Sequence, residues 1–207
     1  MAMQTWWLYA TAVFLISATP GPNMLHMMTQ SIRHGHRRSV VSMAGLMSAN
    51  LVYLLASAAG LGALLRASPG LYDILRYAGA AYLLWLGVRA WRAPVETAEP
   101  TGEAAPPRPL STLYLLGLGT GLSNPKLILF AAALFPQFLD PVRPFAPQVA
   151  ILIGTFAVIE AFWFTIYATG GKALARWLVP ADRQRLFNRV TGGVFVSFGT
   201  ALLGSRL

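Results

Sequence analysis

Two charged side chains lie where an apolar sequence should exclude them. Lys126 follows Ser123-Asn124-Pro125 inside one hydrophobic run, and Glu160 sits in the middle of another, 151–169. A charge at membrane depth is costly, and it marks an ion, proton or substrate pathway by default. Glu160 can carry a proton or receive an ammonium group, or it can form a structural ion pair with Lys126 or a buried arginine. Lys126 can hold a carboxylate, from a ligand or from Glu160, or it can snorkel to the interface on its long stem. A third feature, Thr19-Pro20-Gly21-Pro22-Asn23, carries no charge but interrupts an apolar run near the start of the chain. Pro20 and Pro22 offer no backbone N–H, so the carbonyls of Ile16 and Ala18 lose their helical partners. In lipid each freed carbonyl costs several kcal/mol unless protein or trapped water satisfies it. Such breaks are tolerated mainly where they line a cavity, which in transporters is often the substrate site.

The second break, around Asn124-Pro125-Lys126, has the chemistry of a helix start. Proline is favoured at the first helical position, and asparagine before it is a favoured cap. A half-helix starting there points its positive dipole end inward, where it can bind an anion. Lys126 is unfavourable at that end unless an anion joins it. Thr19 and Asn23 serve the freed backbone groups of the first break, contact a ligand, or do both. Asn50 reads as interhelical glue. His26 is a proton-relay candidate, set against the role of a hydrogen-bonded interior histidine. Asp73 and Arg76, spaced i, i+3, read as a surface ion pair. Gly117-Leu118-Gly119-Thr120-Gly121 fails the dinucleotide spacing, and its i, i+4 glycines fit close helix packing. No nucleophile, metal or phosphate-loop motif appears, so no cofactor and no metal site are expected.

The elements that hold these residues follow from composition. Of 207 residues, 56% are hydrophobic and 11% charged, against roughly 25% charged in soluble domains. The fold class expected is an all-α integral membrane protein. Six spans emerge, at about 6–32, 39–65, 71–91, 111–138, 147–170 and 186–204, with the first and fourth broken; about 20 apolar residues suffice to cross. The stretch 92–109 holds Glu96, Glu99, Glu103 and Pro106-Pro107 and reads as a linker. Residues 1–92 and 111–207 then form two three-helix repeats around a cytoplasmic linker, 93–110, in one membrane domain. Three spans per half make the repeats inverted. Arg76-Tyr77-Ala78-Gly79-Ala80-Ala81-Tyr82 echoes Arg189-Val190-Thr191-Gly192-Gly193-Val194-Phe195 in the sixth span.

The formal charge of +9 does not indicate nucleic acid, because the basic residues lie in short loops where they set topology. Arg33, Arg37, Arg38, Arg89, Arg92, Arg108, Lys172, Arg176, Arg183, Arg185 and Arg189 fall on one side, and Arg66, Arg76, Arg143 and Arg206 on the other. The first set belongs in the cytoplasm, which leaves both termini outside. Trp6, Trp7, Trp91 and Trp177 lie near span ends, where an aromatic belt is expected. The run 6–18 lacks the basic residues that precede a signal peptide's core. There is no cysteine, which excludes disulfides and thiol chemistry.

With both breaks described, the chain resembles the LysE/RhtB family of bacterial amino-acid exporters along essentially its whole length. The resemblance rests on Thr19-Pro20-Gly21-Pro22-Asn23, on Asn124-Pro125-Lys126 after the linker, and on the basic loop Arg33-His34-Gly35-His36-Arg37-Arg38 with the following Gly45. It implies a multi-pass protein of the bacterial inner membrane, not an enzyme, that exports amino acids or close derivatives from the cytoplasm, driven by the proton gradient. Relatives handle basic, hydroxylated, branched or sulfur-containing cargo. A thiol-reducing branch of the superfamily is excluded by the missing cysteines. The expected partners are a small amino-acid substrate, protons and the lipid bilayer, and a homo-oligomer is compatible. The substrate site is expected at Thr19, Pro20, Gly21, Pro22, Asn23, Asn124, Pro125, Lys126 and Glu160, with Glu160 coupling the proton and Asn50 and His26 secondary. Two alternatives stand. A divalent-metal exporter would need Glu160, His26, Asn23 and Asn50 to converge, and a membrane-embedded enzyme would need a motif the sequence lacks.

The topology is directly testable because the chain lacks cysteine. Ala67→Cys and Pro141→Cys should react with an impermeant maleimide in intact cells, and Ser39→Cys and Thr101→Cys only after permeabilisation. Outside labelling at position 101 would reverse the orientation.

Overall fold

A computed structural model of the chain describes all residues except Pro20, Ser68, 94–105, Pro107, Pro141, Val179 and 205–207. For 61–67, 69–73, 75, 76, 133, 171, 172, 174–178, 201, 202 and 204 it describes the helical backbone without the side chain. The linker's centre, Pro20, the Asp73–Arg76 pair and the side chains of Lys172, Arg176 and Trp177 therefore lie outside the described residues. The described residues form helices and connecting turns, with no strand among them.

The helices are α1 (Met3–Ala18), α2 (Pro22–His34), α3 (His36–Ala67), α4 (Pro69–Trp91), α5 (Leu110–Leu122), α6 (Pro125–Leu129), α7 (Phe145–Leu178) and α8 (Ala181–Gly204). A π-helical turn, Phe130–Leu134, and a 3-10 turn, Phe135–Phe138, continue α6. His36–Gly60 and Phe145–Gly170 are each long and apolar enough to cross a membrane. Leu110–Leu122 and Pro125–Phe138, bent by 52° at their junction, together make a third such segment. Large apolar side chains such as Leu8, Leu115 and Val158 lie on the exterior, as suits a helix facing lipid. Trp7 and Trp91 are also exposed, whereas Trp6 donates its Nε1–H to Thr155 Oγ1 at 3.0 Å and so ties α1 to α7.

The breaks fall where proline chemistry puts them. Thr19 is extended (φ −71°, ψ 129°). Gly21 and Asn124, each just before a proline, are extended as well. Proline's ring disfavours helical ψ in the residue it follows. Pro136 has a similar local effect that was not anticipated. It cannot donate to the carbonyl of Ala132, and the ladder there widens to a π turn and then tightens to 3-10. Ser57 Oγ of α3 donates to the Ala131 carbonyl within this irregular stretch. The half-helix expected from Pro125 is thus regular for five residues only, and its dipole is correspondingly weak. At the other end of the chain's second half, α7 runs through Gly170-Gly171 and extends past its expected boundary.

Glycines set the packing. A Cβ on Gly45 would run into the Tyr114 carbonyl, and one on Gly117 would run into the Ser42 carbonyl. A Cβ on Gly121 would strike Ala49 Cβ. α3 and α5 therefore touch backbone to backbone, which is the packing expected for Gly117 and Gly121. Gly87, Gly192 and Gly199 bring α4 and α8 together in the same way. α2 packs on α7 and α3, with Met24, Met27, Leu46, Phe164 and Tyr167 between them. A second core gathers Tyr9, Phe130, Phe135, Phe138 and Phe156 around the irregular turns. Gln148 joins those turns to α7. Its Oε1 accepts from the Asp140 N–H at 3.0 Å, and its Nε2 donates to the Asp140, Arg143 and Pro144 carbonyls.

Gly45→Ala and Gly117→Ala should each destabilise the protein by about 1–3 kcal/mol through overpacking. Gly119→Ala, where an added Cβ meets nothing within 4 Å, should be neutral or slightly stabilising. Thermal unfolding in detergent micelles measures the difference. Equal effects at Gly117 and Gly119 would contradict the α3–α5 contact.

Candidate functional site

The freed carbonyls of the first break are met by side chains from the second half of the chain. Lys126 Nζ donates to the Ile16 carbonyl at 3.0 Å and to the Thr19 carbonyl at 3.1 Å. Ile16 O also accepts from Thr19 Oγ1 at 2.6 Å and from the Thr19 N–H at 3.2 Å. Ala18 O accepts from the Tyr167 hydroxyl at 2.9 Å. Lys126 therefore does not snorkel, because two of its three ammonium donors are held by the other broken helix. The Lys126 stem passes Gly21, where an added Cβ would stand 3.4 Å from Nζ. Larger side chains at position 21 would displace the ammonium.

Asn124 caps α6 as the sequence indicates. Its Oδ1 accepts from the Lys126 N–H at 3.0 Å, with Pro125 at the first helical position. This bond fixes the amide, so Nδ2 points away from the cap. That nitrogen is buried and has no partner among the described residues.

Glu160 is buried on α7. Ser17 Oγ donates to its Oε1 at 2.6 Å, and Oε2 has no partner among the described residues. No ion pair joins Glu160 to Lys126 or to an arginine among those residues. The pair that is present there, Arg143–Asp140 at 3.1 Å, lies at an exposed turn. Lys126 and Glu160 line one cavity without a direct ion pair between them. Asn23 and Asn50 likewise each present a buried Oδ1 with no partner among the described residues. Among the described residues the hydrogen bond of the Asn50 amide stays within its own helix, Nδ2 to Met47 Sδ at 3.9 Å. No interhelical hydrogen bond of Asn50 is present among the described residues.

These atoms converge. Asn23, Asn50, Asn124, Lys126 and Glu160 line one cavity, walled on its apolar side by Phe130 and Phe156. Its volume is about 20 Å³, enough for about one water molecule. Thr19 reaches it only through Lys126 and the Ile16 carbonyl. Gly21, Pro22 and Pro125 shape the backbone around it without lining it. His26 is elsewhere, with Nε2 2.6 Å from Ser42 Oγ and Nδ1 3.1 Å from Thr120 Oγ1. It bridges α2, α3 and α5 as an interior hydrogen-bonded histidine. Among the described residues, no group of three or more His, Asp or Glu side chains could hold a metal ion.

Ser17 and Tyr167 were missed by sequence reasoning. Tyr167 lies seven residues after Glu160, two turns along the same helical face, and that spacing could have revealed it. Ser17 gave no signal beyond its place before the break.

A buried cluster of one carboxylate, one ammonium and three amides, enclosed by apolar helices and built on two interrupted ones, defines a helical membrane protein with a polar site inside the bundle. The family model for the LysE type translocator matches residues 14–206, and the chain belongs to that family. Over 100% of its length it is 35% identical to a homoserine/homoserine lactone efflux protein of Salmonella typhimurium, of which 99% is covered. It is 33% identical to a leucine efflux protein of Klebsiella pneumoniae, covering 92% of this chain and 90% of the relative. An uncharacterized membrane protein of Vibrio cholerae is 29% identical with 100% of both chains covered. No solved structure matches. Membership makes the chain a bacterial membrane transporter rather than an enzyme.

The tether between the two breaks has a measurable consequence. Lys126→Met leaves Thr19 O without its donor, and Tyr167→Phe does the same for Ala18 O. Each should cost about 1–3 kcal/mol, the penalty for an unsatisfied buried group. Unfolding of the purified variants in detergent tests this. Wild-type stability in both would show that the breaks do not depend on these contacts.

Proposed function

We propose that this protein is a secondary exporter that moves amino acids or close derivatives out of the cytoplasm, driven by the proton gradient. The observation that carries the reading is the cavity. Its lining includes Lys126 and four residues, Asn23, Asn50, Asn124 and Glu160, each with a buried polar side-chain atom that has no partner among the described residues. Such a set complements a ligand with a positive and a negative end. Asn124 and Lys126 take the carboxylate, and Glu160 takes the ammonium group or the coupling proton. The named activities of the relatives agree, since homoserine and leucine share these ends and a homoserine lactone keeps the amine and a carbonyl oxygen.

The architecture proposed is six spans in two inverted repeats, with both termini outside the cytoplasm. Its support is the pattern of packing. α1 and α2 lie on α7, α5 lies on α3, and α4 pairs with α8. Each broken span thus packs on the second span of the opposite half, and the two third spans pair with each other, as a two-fold relation requires. Divalent-metal export fits less well. His26 is engaged elsewhere, and the ammonium of Lys126 in the same cavity would repel a dication.

Inside-out vesicles containing the protein should accumulate one or more members of a radiolabelled amino-acid panel, and a protonophore should abolish the accumulation. Glu160→Gln should lose uphill accumulation yet retain exchange between two substrate pools, because exchange needs no net proton movement. A Glu160→Gln protein that still concentrates substrate normally would remove Glu160 from the coupling step.

A further inference from the structure

We propose that Arg33, His34, Arg38 and Arg108 form a seat for the phosphate of an anionic phospholipid, where α2 turns into α3 and the chain enters α5. None of these residues lines the central cavity, so the seat is a separate site. Gly35 takes a φ of 80°, which glycine adopts without strain. The turn it makes puts Arg33 and His34 at the end of α2 and Arg38 in the first turn of α3. Arg38 Nη2 donates to the Arg108 carbonyl, just before α5. Two stretches of chain, 70 residues apart, are thus joined at one end of the α3–α5 pair.

This cluster has no counter-ion among the described residues. The ion pair present there, Arg143–Asp140, lies beyond the other end of the segment that Leu110 begins. Arg33 and His34 suit the last turn of α2, but Arg38 and Arg108 stand at the positive ends of α3 and α5, where cations are unfavourable. No acidic residue offsets them in the first turn of either helix. His34 Nδ1 and Arg38 Nε are buried without a partner among the described residues. Setting the topology requires charge alone, not buried nitrogens left unsatisfied. Burial, and then the charges of Arg108, Arg38 and Arg33, push the His34 imidazole below its usual pKa. A phosphate answers each of these features. Its oxygens accept from guanidinium forks, and its charge suits two helix N-termini. Depth identifies the source. His36–Gly60 and the bent segment from Leu110 are each long and apolar enough to cross a membrane, so Arg38 and Arg108 stand at headgroup level. Val40 and Leu110, two residues further along, are exposed and offer apolar surface to an acyl chain. Basic pockets between transmembrane helices bind anionic headgroups in this manner.

The test uses the purified full chain in a neutral detergent. Thermal unfolding is titrated with phosphatidylglycerol, with zwitterionic phosphatidylcholine and with inorganic phosphate, and native mass spectrometry counts the lipid retained. Phosphatidylglycerol should raise the unfolding temperature and stay bound, and phosphatidylcholine should do neither. Arg33→Gln, at an exposed position, should weaken phosphatidylglycerol about 5-fold, the effect of one arginine at an anionic surface. Adding Arg108→Gln should bring the loss to about 25-fold. Arg143→Gln should leave lipid binding unchanged. Equal stabilisation by phosphatidylcholine, or equal responses of Arg33→Gln and Arg143→Gln, would overturn the seat. Inorganic phosphate that protects as strongly as phosphatidylglycerol would make this a free-phosphate site and overturn the lipid assignment. Binding of phosphatidylglycerol only after Glu96→Gln, Glu99→Gln and Glu103→Gln would show that the chain's own carboxylates neutralise the cluster, and the proposal would fail.

Discussion

The ammonium of Lys126 bonded to the carbonyls of Ile16 and Thr19 is the contact on which the rest of the structure depends. A broken helix in an apolar bundle exposes backbone groups that nothing apolar can satisfy. Here the donor comes from the second broken segment, so each interruption makes the other tolerable. The ammonium needs acceptors in a place without solvent, and the first break needs donors. Asn124 holds Lys126 in place by capping its N–H, and Gly21 leaves room for its stem. The cavity lies beside this joint, where the two breaks meet α3 and α7.

Around the joint the bundle is unevenly stiff. Gly45, Gly117 and Gly121 bring the backbones of α3 and α5 into contact, and Gly87 and Gly192 do the same for α4 and α8. Such interfaces have little slack, because a shift in either helix meets backbone atoms. The π and 3-10 turns after α6, and Thr19 and Gly21 at the first break, contain the irregular geometry. The large aromatics of the 3-10 turn, Phe135 and Phe138, pack against Tyr9 of α1 by shape.

Much of this was legible in the sequence. Proline has a direct local effect, so both breaks and the asparagine cap could be placed to the residue. The charges of Lys126 and Glu160 in apolar runs marked the site for the same reason. The reading failed where the outcome depends on what lies across the bundle. Lys126 and Glu160 have opposite charges, yet they share a cavity without pairing, because Lys126 finds carbonyls and Glu160 finds Ser17. Asn50 looked like helix glue and instead lines the cavity, with no interhelical hydrogen bond among the described residues. His26 sits only three residues from Asn23, but that spacing carries it to the α3–α5 side. The π turn could have been anticipated from Pro136, although its extent depends on the aromatic core beneath it.

A cavity with room for one water molecule cannot admit an amino acid as it stands. On the exporter reading proposed above, a wider form would have to bind, and this structure would be one member of an equilibrium with it. The affinity measured from outside is then the intrinsic affinity reduced by the fraction of time the wide form is present. Contacts that hold the first break without lining the cavity, such as the Tyr167 hydroxyl on Ala18 O, would then bear on that fraction. Two relatives with identical cavity linings could thus differ in apparent affinity, with the difference written in the residues that hold the breaks shut.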